Sequence, residues 1–432
     1  MKTVASMLTA TALGLITLPA LAQLSAPEQQ LVTAVQGRSA EAIKLLERSV
    51  NINSGTMNHE GVREVGRLFA AELAALGFQT RWIDMPPAMQ RAGHLIAERV
   101  GKQGQRVLMI GHLDTVFEKD SPVQMWNRQG DKVRGQGVSD MKGGDVIMIE
   151  ALRAMQSIGA LENTTIRLIF SGDEERAGSP IALARADMIA AAKQSDVALA
   201  FEGTVLDKNG KATGTIGRRA SGGFTLEVKG KQGHSAGVFG HDGYGAIYEA
   251  ARIVNSFREQ LIEPDLTFNP GVILGGTEVV YDDPATKGSA FGKTNVISRT
   301  ALVKGDLRYL TAEQREKTYT LMREIVGKNL PGTSATIRFV ESYPPMSPTP
   351  GNLNLLQKYS QASSDAGLGT IDPLPAGLRG AGDIQFVSPI IDSLDGLGAT
   401  GRGSHSPEED LHIPSIERAT IRTAVLLYRL TR

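Results

Sequence analysis

Residues 107–114 read Val107-Leu108-Met109-Ile110-Gly111-His112-Leu113-Asp114, an unbroken apolar run that ends on a histidine and an acid. Two later stretches share this design. Ile166–Phe170 runs into Ser171-Gly172-Asp173-Glu174-Glu175, and Val197–Phe201 runs straight into Glu202. Short, almost wholly apolar runs, broken only by Arg167, suit strands whose sheet is covered on both faces. Between the first two, Gly144–Ile158 reads as a helix, and between the second and third Pro180–Ala192 does. That alternation predicts an α/β layer with largely parallel strands. Open parallel sheets bind ligands beyond the carboxyl ends of their strands. Here those ends gather one histidine and several acids. So many carboxylates in one crevice repel each other unless a cation neutralises them, which points to a divalent metal site.

Working outward, Ser25 and Glu28 have capping-box spacing with Pro27 in the first turn, so a helix begins there. A second helix is expected from Asn58 to Leu76, with Val62, Val65, Phe69, Leu73 and Leu76 on one face and Gly77 as its stop. The pattern changes near Arg218. Phe224–Lys229, Val272–Leu274, Val296–Tyr309 and Ala335–Val340 read as strands, and Tyr244–Arg258 and Ala312–Lys328 as helices. Their order is β-α-β-β-α-β, the ferredoxin-like arrangement. The expected organisation is a catalytic domain over 23–217 and 341–432, with a lid or dimerisation domain inserted over 218–340. The Pro-rich stretch Tyr343–Pro350 is the return crossing, and the chain ends in a helix after Pro414.

The 432 residues are enough for two ordinary domains. A content of 41% hydrophobic and 21% charged residues excludes global disorder. Lys+Arg and Asp+Glu both number 46, so no global field draws the chain to nucleic acid, and no nucleic-acid partner is expected. Cysteine is absent, which removes disulfides, a thiolate nucleophile, thiolate zinc sites, iron–sulfur ligation and a lipoprotein anchor. Metal ligands must then be His, Asp or Glu. Lys2, the mostly apolar Val4–Leu18 and Ala20-Leu21-Ala22 form a charged n-region, an h-region and an A-x-A cleavage site. The competing reading is a membrane anchor. Against it, the run is interrupted by Ser6, Thr9, Thr11 and Thr17 and reaches the ~17-residue minimum only if they are counted. The expectation is a signal peptide over 1–22, cut after Ala22, and a periplasmic or secreted protein with no membrane partner.

Taken singly, the polar motifs say little. H-x-D fits a capped loop, and paired glutamates are usually solvated surface. Gly135–Gly144 lacks both the G-x-x-x-x-G-K-[ST] of a phosphate loop and, because Asp140 intervenes, the G-x-G-x-x-G of a dinucleotide site. Together and in order, the chain reads H-L-D-T, G-x-G-V-S-D-M-K-G-G, G-D-E-E, F-E-G and G-S-H-S-x-x-E. This set resembles the zinc exopeptidase family of glutamate carboxypeptidases, dipeptidases and aminoacylases, and within it the carboxypeptidase G type. The resemblance spans nearly the whole mature chain. It implies a mainly parallel-sheet catalytic domain with an inserted ferredoxin-like α+β domain, and two Zn²⁺ per subunit.

Carried over by motif, the resemblance puts His112 and Glu202 on one zinc, Glu175 and His405 on the other, and Asp140 between them. Asp114 would accept from the far imidazole nitrogen of His112, and Glu174 would be the general base. Three carboxylates and a bridging hydroxide balance the charge of two Zn²⁺, and every donor is N or O, as zinc accepts. The implied chemistry is amide hydrolysis by that hydroxide, with Glu174 moving its proton to the leaving amine. In the insert, Gly233-His234-Ser235-Ala236 matches G-H-[ST]-A, whose histidine stabilises an oxyanion, often in the partner's active site. Arg308, with Asn295 beside it, matches positions that hold substrate. The family pattern breaks in two places. Tyr343-Pro344-Pro345-Met346 has no arginine, and the Gly380-Ala381-Gly382-Asp383 loop is altered, with Arg379 just before it. His59, His94, His241 and His412 stand in no motif.

The implied activity is release of a C-terminal glutamate or similar amino acid from a peptide or N-acyl amino acid, by a homodimer joined through the insert. An aminoacylase-like amidohydrolase or a dipeptidase would use the same metals. A periplasmic solute-binding protein would also be an exported two-domain α/β chain, but it would have no use for the spare carboxylate of Glu174.

Overall fold

The computed structural model describes residues 24–123 and 125–432; the expected signal peptide and its cleavage point lie outside the described residues. Among the described residues, no helix is long and apolar enough to cross a membrane.

The main sheet has six strands, in the order Gln79–Ile83, His94–Arg99, Thr164–Ser171, Gln103–His112, Val197–Ala200 and Asp392–Leu394. The last four run parallel to one another, and the first two pair antiparallel at one edge. The continuous apolar runs now have their reason. Val107, Met109, Ile166, Leu168, Phe170, Val197 and Leu199 face one core, and Leu108, Ile110, Ile169, Ala198 and Ala200 face a second core on the opposite side. With both faces buried, these positions are apolar; the exception is Arg167, half-buried, whose guanidinium reaches out to the Gln194 carbonyl. Each fully buried aliphatic side chain contributes about 1.5–3 kcal/mol. The larger core takes its helical side from Ala26–Gln36, Ser39–Val50, His59–Ala75, Gly143–Ser157 and Pro414–Leu430.

The capping box forms as expected, with the Ser25 N–H donating to Glu28 Oε2 at 2.7 Å. Asn58 caps the next expected helix, accepting from the Gly61 N–H. The Ser39–Val50 helix and the two antiparallel strands Gln79–Ile83 and His94–Arg99 are not marked in the sequence pattern. Pro180–Ala192 is not one helix but two short ones, Ile181–Ala184 and Ala186–Ala192, divided at Arg185.

The second sheet has the order Thr267–Gly276, Thr300–Arg308, Ser221–Gly230, Thr333–Tyr343, antiparallel throughout. Phe224, Leu226 and Val228 alternate inward against the helices Ala246–Gln260 and Ala312–Gly327, forming a separate core. This is the β-α-β-β-α-β order, with an unforeseen hairpin, Glu278–Asp282 with Lys287–Phe291, inserted after its second strand. The expected strand from Val296 starts only at Thr300. The two crossings between the sheets lie side by side, where Arg218 and Met346 exchange backbone hydrogen bonds of 3.0 Å.

Candidate metal centre

The parallel strands deliver their terminal residues to one end of the sheet. His112 is the last residue of its strand, and Glu202 follows Val197–Ala200 by two residues. Gly111 permits the approach, because a Cβ there would lie 2.1 Å from Asp145 Oδ1. Glu174 and Glu175 sit in the turn after Thr164–Ser171, and Asp140 in the Val138–Lys142 turn before the Gly143–Ser157 helix. His405 comes from the loop before Asp410–His412 and has φ of 65°, in the left-handed region that a histidine rarely occupies.

Two three-residue clusters result, His112–Asp140–Glu202 and Asp140–Glu175–His405. His112 Nε2 is 3.3 Å from Asp140 Oδ1 and 3.5 Å from Glu202 Oε1. His405 Nε2 is 3.2 Å from Asp140 Oδ2 and 3.0 Å from Glu175 Oε2. Each oxygen of Asp140 thus serves a different cluster. Burial disfavours a charged His112, yet its bonds to Asp140 and Glu202 hold its pKa well above the ordinary value. His405 is raised to about 11 by its bonds to Asp140 and Glu175, and burial pushes Glu175 up to about 7. Glu175 Oε1 is buried without any partner, and the donors are all N and O, so the residues fit a pair of divalent ions.

Asp114 departs from its expected role. The Nδ1–H of His112 donates to the Asp114 backbone carbonyl at 2.9 Å, while the carboxylate lies 3.7 Å away. A carbonyl can only accept, so the proton is fixed on Nδ1 and Nε2 is left for a metal. The carboxylate instead accepts from the Thr56 hydroxyl at 2.6 Å and from the Glu174 and Glu175 N–H groups at 3.0 and 3.2 Å. It therefore shapes the loop that carries both glutamates. That loop points the two side chains apart. The Glu174 carboxylate faces the cleft and makes no hydrogen bond within the described residues. Burial, with Asp383, Glu202 and Glu175 nearby, raises its pKa well above the ordinary value.

Behind this loop lies a pairing with no local sequence signal. Arg185, fully buried, donates from Nη1 to Asp173 Oδ1 and from Nε to Asp383 Oδ1, both at 2.6 Å. Its partners lie 12 and 198 residues away in sequence. The Tyr343 hydroxyl donates to the Glu174 carbonyl at 3.1 Å beside it. Arg185→Met is expected to lower stability by about 3–5 kcal/mol, since two buried carboxylates lose the cation that bonds them both. Denaturant unfolding monitored by circular dichroism checks this. Glu409, the last residue of the G-S-H-S-x-x-E motif, acts through the backbone. Its Oε1 accepts from the Ser139 and Asp140 N–H groups at 2.8 and 3.1 Å, clasping the His405 loop to the Asp140 turn.

The three residues expected from the insert do not line this cleft, a space of about 640 Å³ bounded by Asp140, Glu174, Glu202, Arg218, Arg379 and His405 among others. His234 and Asn295 do lie together: the Ser235 N–H donates to the Asn295 carbonyl, and His234 bridges Val296. Both are exposed. Arg308 is not beside Asn295. The strand Thr300–Arg308 separates them, roughly 26 Å at ~3.3 Å per residue. Arg308 is instead paired with Asp306 at 2.9 Å. Spacing alone could not show which end of a strand each residue occupies. Of the histidines outside the motifs, His94 is buried against the Ala184 carbonyl at 2.9 Å, and His59 bonds the Gln90 carbonyl at the surface.

Comparisons with known proteins show the family to which the chain belongs. The family model for peptidase family M20/M25/M40 matches residues 108–429. Carboxypeptidase G2 of Pseudomonas sp. (strain RS-16) is 28% identical over 406 residues, covering 92% of this chain and 91% of that protein. Succinyl-diaminopimelate desuccinylase of Gluconacetobacter diazotrophicus is 25% identical over 403 residues, covering 92% and 99%. Among solved structures, the YXEP protein of Bacillus subtilis, described as a dinuclear metal binding peptidase from the M20 family, superposes with a TM-score of 0.64 at 16% identity. That match covers 92% of this chain and 99% of the other.

Proposed function

As a member of peptidase family M20/M25/M40, this chain is a metal-dependent hydrolase, and we propose that it is an exported two-zinc carboxypeptidase releasing a C-terminal glutamate or similar amino acid. The observation that carries the reading is a shared Asp140 between two ligand clusters, with an unbonded Glu174 carboxylate facing the same cleft. Bound zinc would supply Lewis acidity and a water acidified toward neutral pH. Glu174, with its carboxylate free toward the cleft, would take a proton from the attacking water and pass it to the departing amine. The Asp114 carboxylate holds the Glu174 backbone in place through the loop N–H bonds. The leader-like pattern of residues 1–22 in the sequence supports export.

His234 and Asn295 would serve as oxyanion donors if supplied by a second copy of the chain. Edge strands Thr267–Gly276 and Thr333–Tyr343 leave unpaired backbone groups, and Ile273, Val280 and Phe291 of the insert are exposed, which supports a two-fold dimer through it. Light scattering at micromolar concentration is expected to give a dimer mass; a strict monomer overturns this assembly.

The deciding experiment tests zinc-loaded protein on N-acylated dipeptides that vary the C-terminal residue, beside a free dipeptide and an N-acyl-glutamate. Fastest release of a C-terminal acidic residue is the expected result. The desuccinylase relatives favour a second reading, an aminoacylase-like amidohydrolase, for which the N-acyl amino acid would be the better substrate. Preference for the free dipeptide would make it a dipeptidase, and turnover of none would sink the hydrolase reading.

A further inference from the structure

Arg379 lines the cleft with Asp140, Glu174, Glu202 and His405. Its Nε and Nη2 are shut off from solvent and find no hydrogen-bond partner. Charged donors left unpaired away from water carry a desolvation penalty that a structure seldom leaves without compensation. The neighbouring Arg218 gives no relief, since its charge opposes that of Arg379. Arg218 is itself fully engaged. Its Nε donates to Asp395 Oδ2 at 2.8 Å, its Nη2 to the same oxygen, and its Nη1 to the carbonyls of Gly380 and Ala381 at 2.7 and 2.9 Å. Those two carbonyls follow Arg379 directly, so the Arg218–Asp395 pair anchors the loop that carries Arg379. Gly382 permits this stacking, because a Cβ there would come within 2.9 Å of the Arg218 guanidinium carbon.

The acids that offset the charge of Arg379 are Asp395, Glu202 and Asp140, acting at a distance without hydrogen bonds. Glu202 and Asp140 belong to the two ligand clusters, where divalent ions would cancel their charge. The other arginines considered for substrate are occupied. Arg308 holds Asp306, and Arg219, though its buried Nε is also unpartnered, reaches Thr267 and the Gly377 carbonyl with its other nitrogens; neither lines the cleft. A rigid guanidinium with free donors at the wall of an amide-cleaving cleft matches a planar carboxylate.

We propose that Arg379 is the specificity-determining residue that pairs with a carboxylate of the amino acid being released. The carboxylate is either the α-carboxylate or that of an acidic side chain. The proposal rests on the hydrolase reading above. It also explains the altered glycine loop: the departure from the family pattern puts a cation where the substrate enters.

The test uses zinc-loaded wild type, Arg379→Gln and Arg379→Lys, each checked for metal content and circular dichroism. Three substrates share one scissile bond: an N-acyl-glutamate, its α-amide, and the N-acyl-glutamine. Arg379→Gln is expected to lose about ten- to hundredfold in kcat/KM on the acid, and less than about threefold on the analogue that lacks the paired carboxylate. Which analogue escapes identifies the carboxylate. Arg379→Lys, with a charge but no fork, should recover part of the loss. Equal loss on all three substrates, with metal retained, overturns the proposal. A second arm needs no turnover: calorimetric titration of glutarate into the zinc-loaded proteins. A ten- to hundredfold weaker Kd in Arg379→Gln is the expected result, about the factor that charge-assisted hydrogen bonds supply. It supports the carboxylate role even if no substrate is cleaved, an outcome that would sink only the hydrolase reading. Equal affinity, or no binding to either protein, overturns the proposal.

Discussion

Exposed to zinc and then desalted, the Asp140→Ala protein is expected to retain metal at neither site and to show no measurable hydrolysis. The reason is geometric. Asp140 Oδ1 faces His112 and Oδ2 faces His405, so one side chain closes both clusters. Its removal leaves His112 with Glu202 and His405 with Glu175, two protein donors per ion where zinc sites use three or four. It also leaves two divalent ions without the shared anion that screens one from the other. Loss of one metal with retention of the other would show that Asp140 serves a single site. Elemental analysis after desalting, with zinc-loaded wild type alongside, decides. Retention of both ions would overturn the bridging assignment.

Glu174→Gln is expected to lose about a hundred- to ten-thousandfold in kcat while keeping both metals and the fold. The amide fills the same space but accepts no proton, so the attacking water loses its base and the leaving amine its acid. The structure makes this substitution mild in every other respect. The Glu174 side chain holds no partner that glutamine would disturb, and the loop is fixed through backbone bonds to Asp114 and Tyr343. Its neighbour Glu175 gives the opposite result on substitution, because it belongs to a ligand cluster: there metal should be lost along with activity. Measuring kcat and metal content on both variants separates the roles. A metal-replete Glu174→Gln protein with activity near wild type would falsify the proton-shuttle role.

The parallel core was legible because its cause is local. Strands buried on both faces are apolar at nearly every position, so Val107–Ile110, Val197–Phe201 and, apart from Arg167, Ile166–Phe170 announce themselves without any partner in view. The edge strand Gln79–Ile83 was not legible for the converse reason. Gln79–Ile83 mixes exposed and half-buried positions, so it carries neither a continuous apolar run nor a clean alternation. The insert was readable from inward-facing alternation in Ser221–Gly230, whereas the exposed Lys287–Phe291 strand has no buried face to mark it.

The candidate centre divides along the same line. A residue placed directly at the end of a buried strand has its position set by that strand, and His112, Glu174, Glu175 and Glu202 meet for this reason. What depends on pairing across the chain could not be read from spacing. The clasp of Glu409 on Asp140 spans 269 positions, and the hold of Arg185 on Asp383 spans 198. The sequence by itself determined the layer, the inserted domain and the acids and histidines at the strand ends, since hydrophobic periodicity and chain direction act within a few residues. Only the tertiary structure decided that Asp114 orients His112 through its carbonyl, that Arg308 and Asn295 stand at opposite ends of a strand, and that Arg379 keeps its donors free in the cleft. Charges and hydrogen bonds are satisfied by whatever the fold brings within about 3 Å, and chain distance does not enter that choice.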